Sequence, residues 1–195
     1  ARPRSPKQTL HCSRFPVLCP VFFGTNPLRH LADLKDLTPS EILDILDRAA
    51  QIKANPAEYG DLLRHKSLAM IFQKTSTRTR VSFEVAMTEL GGHAIFIDWL
   101  TSNFILSGID HETEYLSRNV SCIMARLLRN DDLMKIVASS KVPVINGCCE
   151  KFHPCQALTD VMSIRENNGG NLDNVTLAFV GVQNNVSNSL TVICD

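Results

Sequence analysis

The chain has 195 residues, of which 44% are hydrophobic and 21% are charged, and its formal net charge is zero. This length and composition fit one globular domain, or one domain with part of a second. A neutral chain has no overall attraction for nucleic acid or for a membrane surface, so we expect neither as a partner. No apolar run reaches the roughly 18–20 residues that cross a bilayer, which excludes a transmembrane helix.

The first 29 residues differ in composition from the rest. They contain no acidic residue, since Asp33 is the first, and their prolines rule out one long helix. An arginine-rich, acid-free leader resembles an organelle transit peptide, which predicts a mitochondrial matrix protein. A disordered tail or a cloning remnant on a cytoplasmic protein is the alternative. The seven cysteines lack a Cys-x-x-Cys pair, which favours reduced thiols in an intracellular compartment.

Order is predicted from residue 30 onward, and the first element is a helix. Thr38 and Glu41 form a capping box, with Pro39 between them at the first helical position. The apolar residues that follow lie at helical spacing and predict one buried face. Asn55 and Pro56 end this helix.

Short apolar runs then alternate with segments of helical pattern. Strands are predicted over 67–72, 93–97, 122–126, 142–145 and 175–180. Helices are predicted from the polar turn 73–77 to Gly91, and over 112–118, 131–139, 154–165 and 185–193. The strands are apolar throughout, which predicts an α/β fold with an open parallel sheet and helices on both faces. Because 167–171 break the pattern, we predict one domain over 30–166 and the start of a second α/β domain over 167–195.

A run of hydroxyl and guanidinium side chains lies where the strand 67–72 turns into a helix. In open parallel sheets, ligands bind beyond the carboxyl ends of the strands. The motif Ser76-Thr77-Arg78-Thr79-Arg80 adds hydroxyl donors and a bidentate arginine to the free amides and positive dipole of a helix start. This chemistry suits a phosphate group. A hydroxyl-rich helix cap with two solvated arginines is the alternative interpretation of the turn alone.

Two other strand ends carry polar side chains. Arg126 ends an apolar strand, where a charged side chain is expected to have a partner or a function. His153 begins a helix, and Gln156 follows on the same face one turn later. A single histidine at a helix cap is more often structural than catalytic, but three such positions in one sheet favour an enzyme.

Taken together, these motifs resemble one family. Ser76-Thr-Arg-Thr-Arg80, Met124-Ala-Arg126 and His153-Pro-Cys-Gln156, in this order and spacing, resemble the aspartate/ornithine carbamoyltransferase family over about 30–190. The His-Pro-Cys-Gln form is similar to the ornithine branch. Gly181-Val-Gln-Asn-Asn185 and Ser189 resemble the Gly-Asp-Gly-Asn-Asn segment that opens the family's amino-acid domain.

The resemblance implies a role for each matched residue. The residues implied to hold the phosphate of carbamoyl phosphate are Ser76, Thr77, Arg78 and Thr79, with Arg78 as the principal partner. The implied catalytic residues are Arg126 and His153, which would donate to the carbonyl oxygen, and Gln156, which would accept from the carbamoyl amide. Asn185, with Asn184 as a second candidate, would contact L-ornithine. Neither a metal nor an organic cofactor is required.

The implied reaction transfers the carbamoyl group of carbamoyl phosphate to the side-chain amine of L-ornithine, giving L-citrulline and phosphate, in arginine biosynthesis or a urea-type pathway. Family members imply a homotrimer for the full-length protein. The sequence stops just inside the second domain, so we expect this chain to be inactive alone.

Besides the length of the chain, two departures from the family pattern leave other functions open. The loop 99–109 lacks an expected glutamine, and Val182 and Gln183 replace an Asp-Gly pair. Gln73 also occurs in carbamoyltransferases that prefer diamines. The alternatives are therefore carbamoylation of putrescine or another amine, and a non-catalytic carbamoyltransferase-like binding module.

Overall fold

A computed structural model describes residues 28–195 of the chain. The leader predicted over 1–29 lies outside the described residues, apart from Leu28 and Arg29. Arg29 forms an ion pair with Glu41 at the start of the first helix. The backbone then runs beside the sheet, where Leu31 pairs in parallel with Ile145.

Four parallel strands form the sheet, in the spatial order β2-β1-β3-β4. Their bounds are Ser67–Phe72 for β1, His93–Asp98 for β2, Cys122–Arg126 for β3 and Val144–Cys148 for β4. The first four predicted strands are thus confirmed. The fourth begins two residues later than predicted, after Pro143, because proline has no N–H to donate to a sheet ladder.

Six helices alternate with these strands in the described residues. They are α1 Pro39–Ala54, α2 Thr77–Glu89, α3 Ile109–Ser117, α4 Asn130–Ser139, α5 Pro154–Asn167 and α6 Asn185–Cys194. The predicted capping box is present at α1, where Thr38 accepts from the Glu41 amide and the Glu41 carboxylate accepts from Thr38. Short 3₁₀ turns cover Pro56–Tyr59, Trp99–Thr101 and Asn103–Ile105.

Helices cover both faces of the sheet, as predicted. On one face, Leu133 and Ile136 of α4 pack with Ile71 and Ile123 of the sheet. On the other face, Met87 of α2 packs against Met70 and Met124, and Leu46 of α1 packs with Leu158 of α5. Strand β2 lies at the edge and is more exposed, with Ile95 and Phe96 both above one-third accessible.

The fifth predicted strand is wrong. Residues 175–180 form no strand, and Val180 is 96% exposed. A strand needs a neighbour to satisfy its backbone groups, and none of the strands in residues 28–195 borders this segment. Residues 168–184 instead connect α5 to α6 without regular structure. The proposed domain boundary coincides with the end of α5 and stays a prediction.

Candidate active site

The turn between β1 and α2 forms a cradle of donors. Ser76 is the N-cap of α2, and its hydroxyl accepts from the Thr79 amide at 3.3 Å and donates to the Thr79 hydroxyl at 3.0 Å. The amides of Thr77 and Arg78 lie in the first turn, where a helix offers no backbone acceptor. With the positive end of the α2 dipole, these amides can bind an anion.

The two arginines of the motif are placed differently. Arg80 donates to Glu84 at 2.9 Å, and its guanidinium lies 3.8 Å from the centre of the Phe96 ring. Arg78 is exposed and has no hydrogen bond or ion pair within residues 28–195. Of the two, Arg78 therefore has the guanidinium that is available to a ligand. Its role as the phosphate partner stays a prediction.

Arg126 connects the ends of three elements. It closes β3, and its Nη1 donates to the Thr79 hydroxyl at 3.3 Å and to the Gly147 carbonyl at 3.4 Å. Its Nε is buried and has no partner in the described chain. A Cβ on Gly147 would clash with the buried Met124 side chain, so any other residue where β4 passes this point would displace Met124. The sequence-predicted residues Ser76, Thr79 and Arg126 thus form one hydrogen-bonded group.

Gln73 forms hydrogen bonds with backbone groups beside this hydrogen-bonded group. Its amide donates to the Arg126 carbonyl at 2.9 Å, and its side-chain oxygen accepts from the Leu128 amide at 2.8 Å. These bonds extend the β1–β3 pairing past the end of the strands. The side chain of Gln73 therefore has a structural function, and its link to a diamine substrate stays a prediction.

His153 is the N-cap of α5, and its imidazole is neutral at pH 7. Burial lowers its pKa to about 4, helped by the positive charges of Arg126 and Lys74 and opposed by Asp160. A neutral imidazole keeps one N–H that can donate a hydrogen bond. The Nδ1 atom is buried and has no partner in the described residues. A buried polar atom without a partner is costly unless something binds it, so the ring is suited to a ligand.

Lys74 is a site residue that the sequence did not single out. It lies in the turn before the Ser76 motif, and its charge acts on His153 across the site. Its position in the sequence was the available signal, because a lysine between a strand end and a donor-rich helix start lies at the edge of the sheet where the other predicted site residues lie. Lys74, Arg78 and Arg126 give a locally cationic site in a chain of zero net charge.

Gln156 lies one turn into α5. Its side-chain nitrogen donates to Asp160 at 2.9 Å. This bond orients the amide and leaves the carbonyl oxygen as the free acceptor. Such an acceptor is what the predicted contact with a carbamoyl amide requires.

The two asparagines that begin α6 have different functions. The side-chain oxygen of Asn184 caps α6, accepting from the Val186 and Ser187 amides at 2.9 and 3.1 Å. Asn185 instead donates to the Cys149 carbonyl at 2.7 Å and to the Cys148 sulfur at 3.2 Å. Of the two, only Asn185 reaches the β4–α5 loop beside the site, and its side-chain oxygen is left to accept a donor.

Within residues 28–195, no three His, Cys, Asp or Glu side chains gather as a metal site requires. None of the helices in residues 28–195 is long and apolar enough to cross a bilayer.

The parallel sheet and the cationic donors at its carboxyl edge define a phosphate-binding α/β domain. Residues 29–166 match the family described as aspartate/ornithine carbamoyltransferase, carbamoyl-P binding domain. The match covers well over half of the chain. The chain therefore belongs to the aspartate/ornithine carbamoyltransferase family.

Known relatives agree with this assignment. The chain is 45% identical over 164 residues to a catabolic ornithine carbamoyltransferase of Halobacterium salinarum, covering 84% of this chain and 54% of that protein. The structure of ornithine carbamoyltransferase from Pyrococcus furiosus superposes with a TM-score of 0.80 at 44% identity, over 85% of this chain and 53% of that chain. The chain thus spans about half the length of these relatives.

A further relative has a different name. An N-acetyl-L-ornithine transcarbamylase, solved as a point mutant with carbamyl phosphate and N-succinyl-L-norvaline, superposes with a TM-score of 0.67 at 30% identity. The superposition covers 73% of this chain and 49% of the transcarbamylase chain. The fold is therefore shared by relatives whose names give different amine substrates, ornithine and N-acetyl-L-ornithine.

Proposed function

We propose that this chain provides the carbamoyl-phosphate half of an ornithine carbamoyltransferase, which converts L-ornithine and carbamoyl phosphate to L-citrulline and phosphate. The observation that carries the proposal is the contact between Arg126 and Thr79. It joins a cation at the end of β3 to the donor-rich start of α2. One ligand with a phosphate at α2 and a carbonyl near Arg126 would use both.

The donors suit a direct transfer. The neutral amine of the acceptor attacks the carbonyl carbon, and negative charge grows on the carbonyl oxygen. Arg126 and the neutral His153 donate to that oxygen, and a donor of this kind contributes about 100- to 1000-fold in rate. The bond from carbon to the phosphate oxygen then breaks, the attacking nitrogen gives up one proton to the departing phosphate, and the phosphate leaves among Arg78, Lys74 and the α2 amides.

Ornithine is proposed as the acceptor from the names of the relatives and from the geometry of Asn185. The Asn185 nitrogen is occupied by Cys149, so its oxygen is oriented to accept from the α-ammonium group of an amino acid. The second candidate is that another amine is the acceptor. The similarity to an N-acetyl-L-ornithine transcarbamylase supports this candidate. A panel of ornithine, acetylornithine, lysine and putrescine, assayed with the whole protein and carbamoyl phosphate, separates the two.

We further propose a homotrimer for the whole protein. Large apolar side chains are exposed around β2 and α2, namely Val81, Val85, Ile95, Phe96, Leu100 and Leu106. An exposed apolar area of this extent favours a protein contact. Light scattering after gel filtration tests the proposal, and a monomer at micromolar concentration would contradict it. The mitochondrial matrix is our proposed compartment, which imaging of a fusion of residues 1–29 to a fluorescent protein tests.

The binding half of the proposal can be tested on this chain alone. Arg78→Ala should abolish detectable carbamoyl-phosphate binding in calorimetry, because it removes the free guanidinium of the cradle. Arg80→Ala is the matched control, since Arg80 is held by Glu84 and Phe96 and should leave the affinity within about twofold. Equal binding by the wild type and Arg78→Ala would refute the proposed phosphate site.

A further inference from the structure

Helix α6 holds the loop between β4 and α5 by three side chains. Asn185 donates to the Cys149 carbonyl at 2.7 Å, and Asn188 donates to the Lys151 carbonyl at 2.9 Å. The hydroxyl of Ser189 accepts from the His153 amide at 2.8 Å. Positions 185, 188 and 189 lie on one face of a helix, and they contact every second residue of the loop.

The contact of Ser189 is the most specific of the three. Ser189 is 2% exposed in a helix that otherwise buries apolar residues. A buried hydroxyl must be hydrogen-bonded, and here its partner is the backbone of a predicted catalytic residue. The His153 amide begins α5 and has no acceptor within that helix. Ser189 therefore satisfies the amide and fixes the backbone from which the imidazole projects.

Nothing else in the described residues fixes the imidazole on its Nδ1 side. Nδ1 has no partner, and His153 makes no capping bond with its side chain. Within the loop, the Cys149 amide donates to the Phe152 carbonyl at 3.0 Å, which closes the turn but does not reach the ring. No hydrogen bond to Nδ1 fixes the ring, and α6 holds the backbone from which the ring projects.

Asn188 is itself oriented by a residue that departs from the family pattern. The side-chain nitrogen of Gln183 donates to the side-chain oxygen of Asn188 at 2.9 Å. This bond points the Asn188 nitrogen at the Lys151 carbonyl. Gln183 stands where the family pattern noted above has glycine, which has no side chain to make this contact.

We propose that Ser189 and Asn188 are positioning residues of the carbamoyl-phosphate site, holding the β4–α5 loop so that His153 faces Arg126. The proposal rests on the proposed function for its ligand, but the hold on the loop is a property of the chain itself. Through it, the first helix after residue 167 acts on the site of the preceding domain.

The experiment compares Ser189→Ala and Asn188→Ala with Thr191→Ala in the 195-residue chain. Thr191 is the matched control, because its exposed hydroxyl bonds only to Ser187 within α6. Two quantities are measured: the pKa of His153 by NMR of ¹⁵N-histidine protein without ligand, and the Kd for carbamoyl phosphate by calorimetry. Ser189→Thr keeps a hydroxyl at this position and is the conservative variant that should behave like the wild type.

We expect the pKa of His153 to rise from about 4 towards 6.5 in Ser189→Ala, because a released loop lets water reach the ring. Asn188→Ala should shift it in the same direction by less. The Kd should weaken about five- to tenfold in Ser189→Ala, as the loss of one hydrogen bond predicts. Thr191→Ala should change neither quantity, and Ser189→Thr should keep both the pKa of His153 and the Kd near their wild-type values.

The outcomes separate this proposal from the proposed function. If the wild type does not bind carbamoyl phosphate, the proposed function fails, and the positioning role in that site fails with it. If the wild type binds and both alanine variants keep its Kd and its His153 pKa, the positioning role is overturned while the proposed function stands. Asn188 is only partly buried, so its variant decides the matter even if Ser189→Ala does not fold.

Discussion

Replacing Arg126 separates the charge of this residue from its geometry. Arg126→Met removes the charge and keeps most of the volume, whereas Arg126→Lys keeps the charge but replaces the planar guanidinium, whose Nη1 bonds to Thr79 and Gly147, by a compact ammonium without its fixed donor geometry. Arg126→Met loses a charged donor to the ligand. A charged hydrogen bond contributes about 1.5–3 kcal/mol, so the Kd for carbamoyl phosphate should weaken about 10- to 150-fold in Arg126→Met and by less in Arg126→Lys.

The two variants should differ at His153. The positive charge of Arg126 is the second cause of the low His153 pKa, after burial. Arg126→Met should therefore raise that pKa from about 4, although it should stay below 6.5 because burial remains. Arg126→Lys should leave it low, because the lysine retains the charge. NMR titration of His153 measures the difference.

Arg129→Met is the control for both measurements. Arg129 is exposed, lies three residues further on, and only approaches Asp131 at 3.8 Å. It should change neither the Kd nor the His153 titration. If Arg126→Met binds carbamoyl phosphate as the wild type does, Arg126 does not contact the ligand. If Arg126→Met and Arg126→Lys titrate alike at His153, the electrostatic coupling described above is wrong.

Two further predictions concern stability. Because the pKa of His153 is lowered in the folded state, the unfolded chain takes up its proton first as the pH falls, so the free energy of unfolding should decrease between pH 6.5 and about 4. His153→Gln should reduce this slope in urea unfolding but leave part of it, since burial also lowers the pKa of His30, and an unchanged slope would contradict the assignment. Gly147→Ala should lower the free energy of unfolding by about 1–3 kcal/mol, because its Cβ meets the Met124 sulfur. Gly60→Ala, whose nearest contact would be an ordinary 3.8 Å, is the control, and equal stability of the two variants would refute the packing argument.

The sheet could be predicted largely from local pattern. The bounds of β1 and β3 agree with continuous apolar runs, because a strand buried on both faces must be apolar at every position. The same rule failed at 175–180, where the run is apolar but has no neighbouring strand. Periodicity reports what a segment could bury, and it contains no information about whether a partner lies beside it.

The residues of the site could likewise be predicted only in part. Ser76, Arg126 and His153 were found because parallel strands bring their carboxyl ends to one edge, so positions distant in sequence share a site. The bond of the Gln73 side chain to Leu128 could not be predicted, because the two residues lie 55 positions apart in the sequence. The contact of Ser189 could not be predicted either, because a serine inside an apolar helix looks the same whether its hydroxyl meets water or the His153 amide.

The electrostatics of the site connect these observations. Burial, together with the positive charges of Arg126 and Lys74, lowers the pKa of His153 and keeps the ring neutral in the absence of ligand. A bound phosphate would offset those cations, so ligand binding should raise the pKa of His153 and couple binding to proton uptake at acidic pH. At pH 7, however, burial remains the largest cause and still favours the neutral ring. His153 therefore suits the role of a hydrogen-bond donor better than that of an acid, and its usefulness depends on where the ring points. That direction is what Ser189 controls.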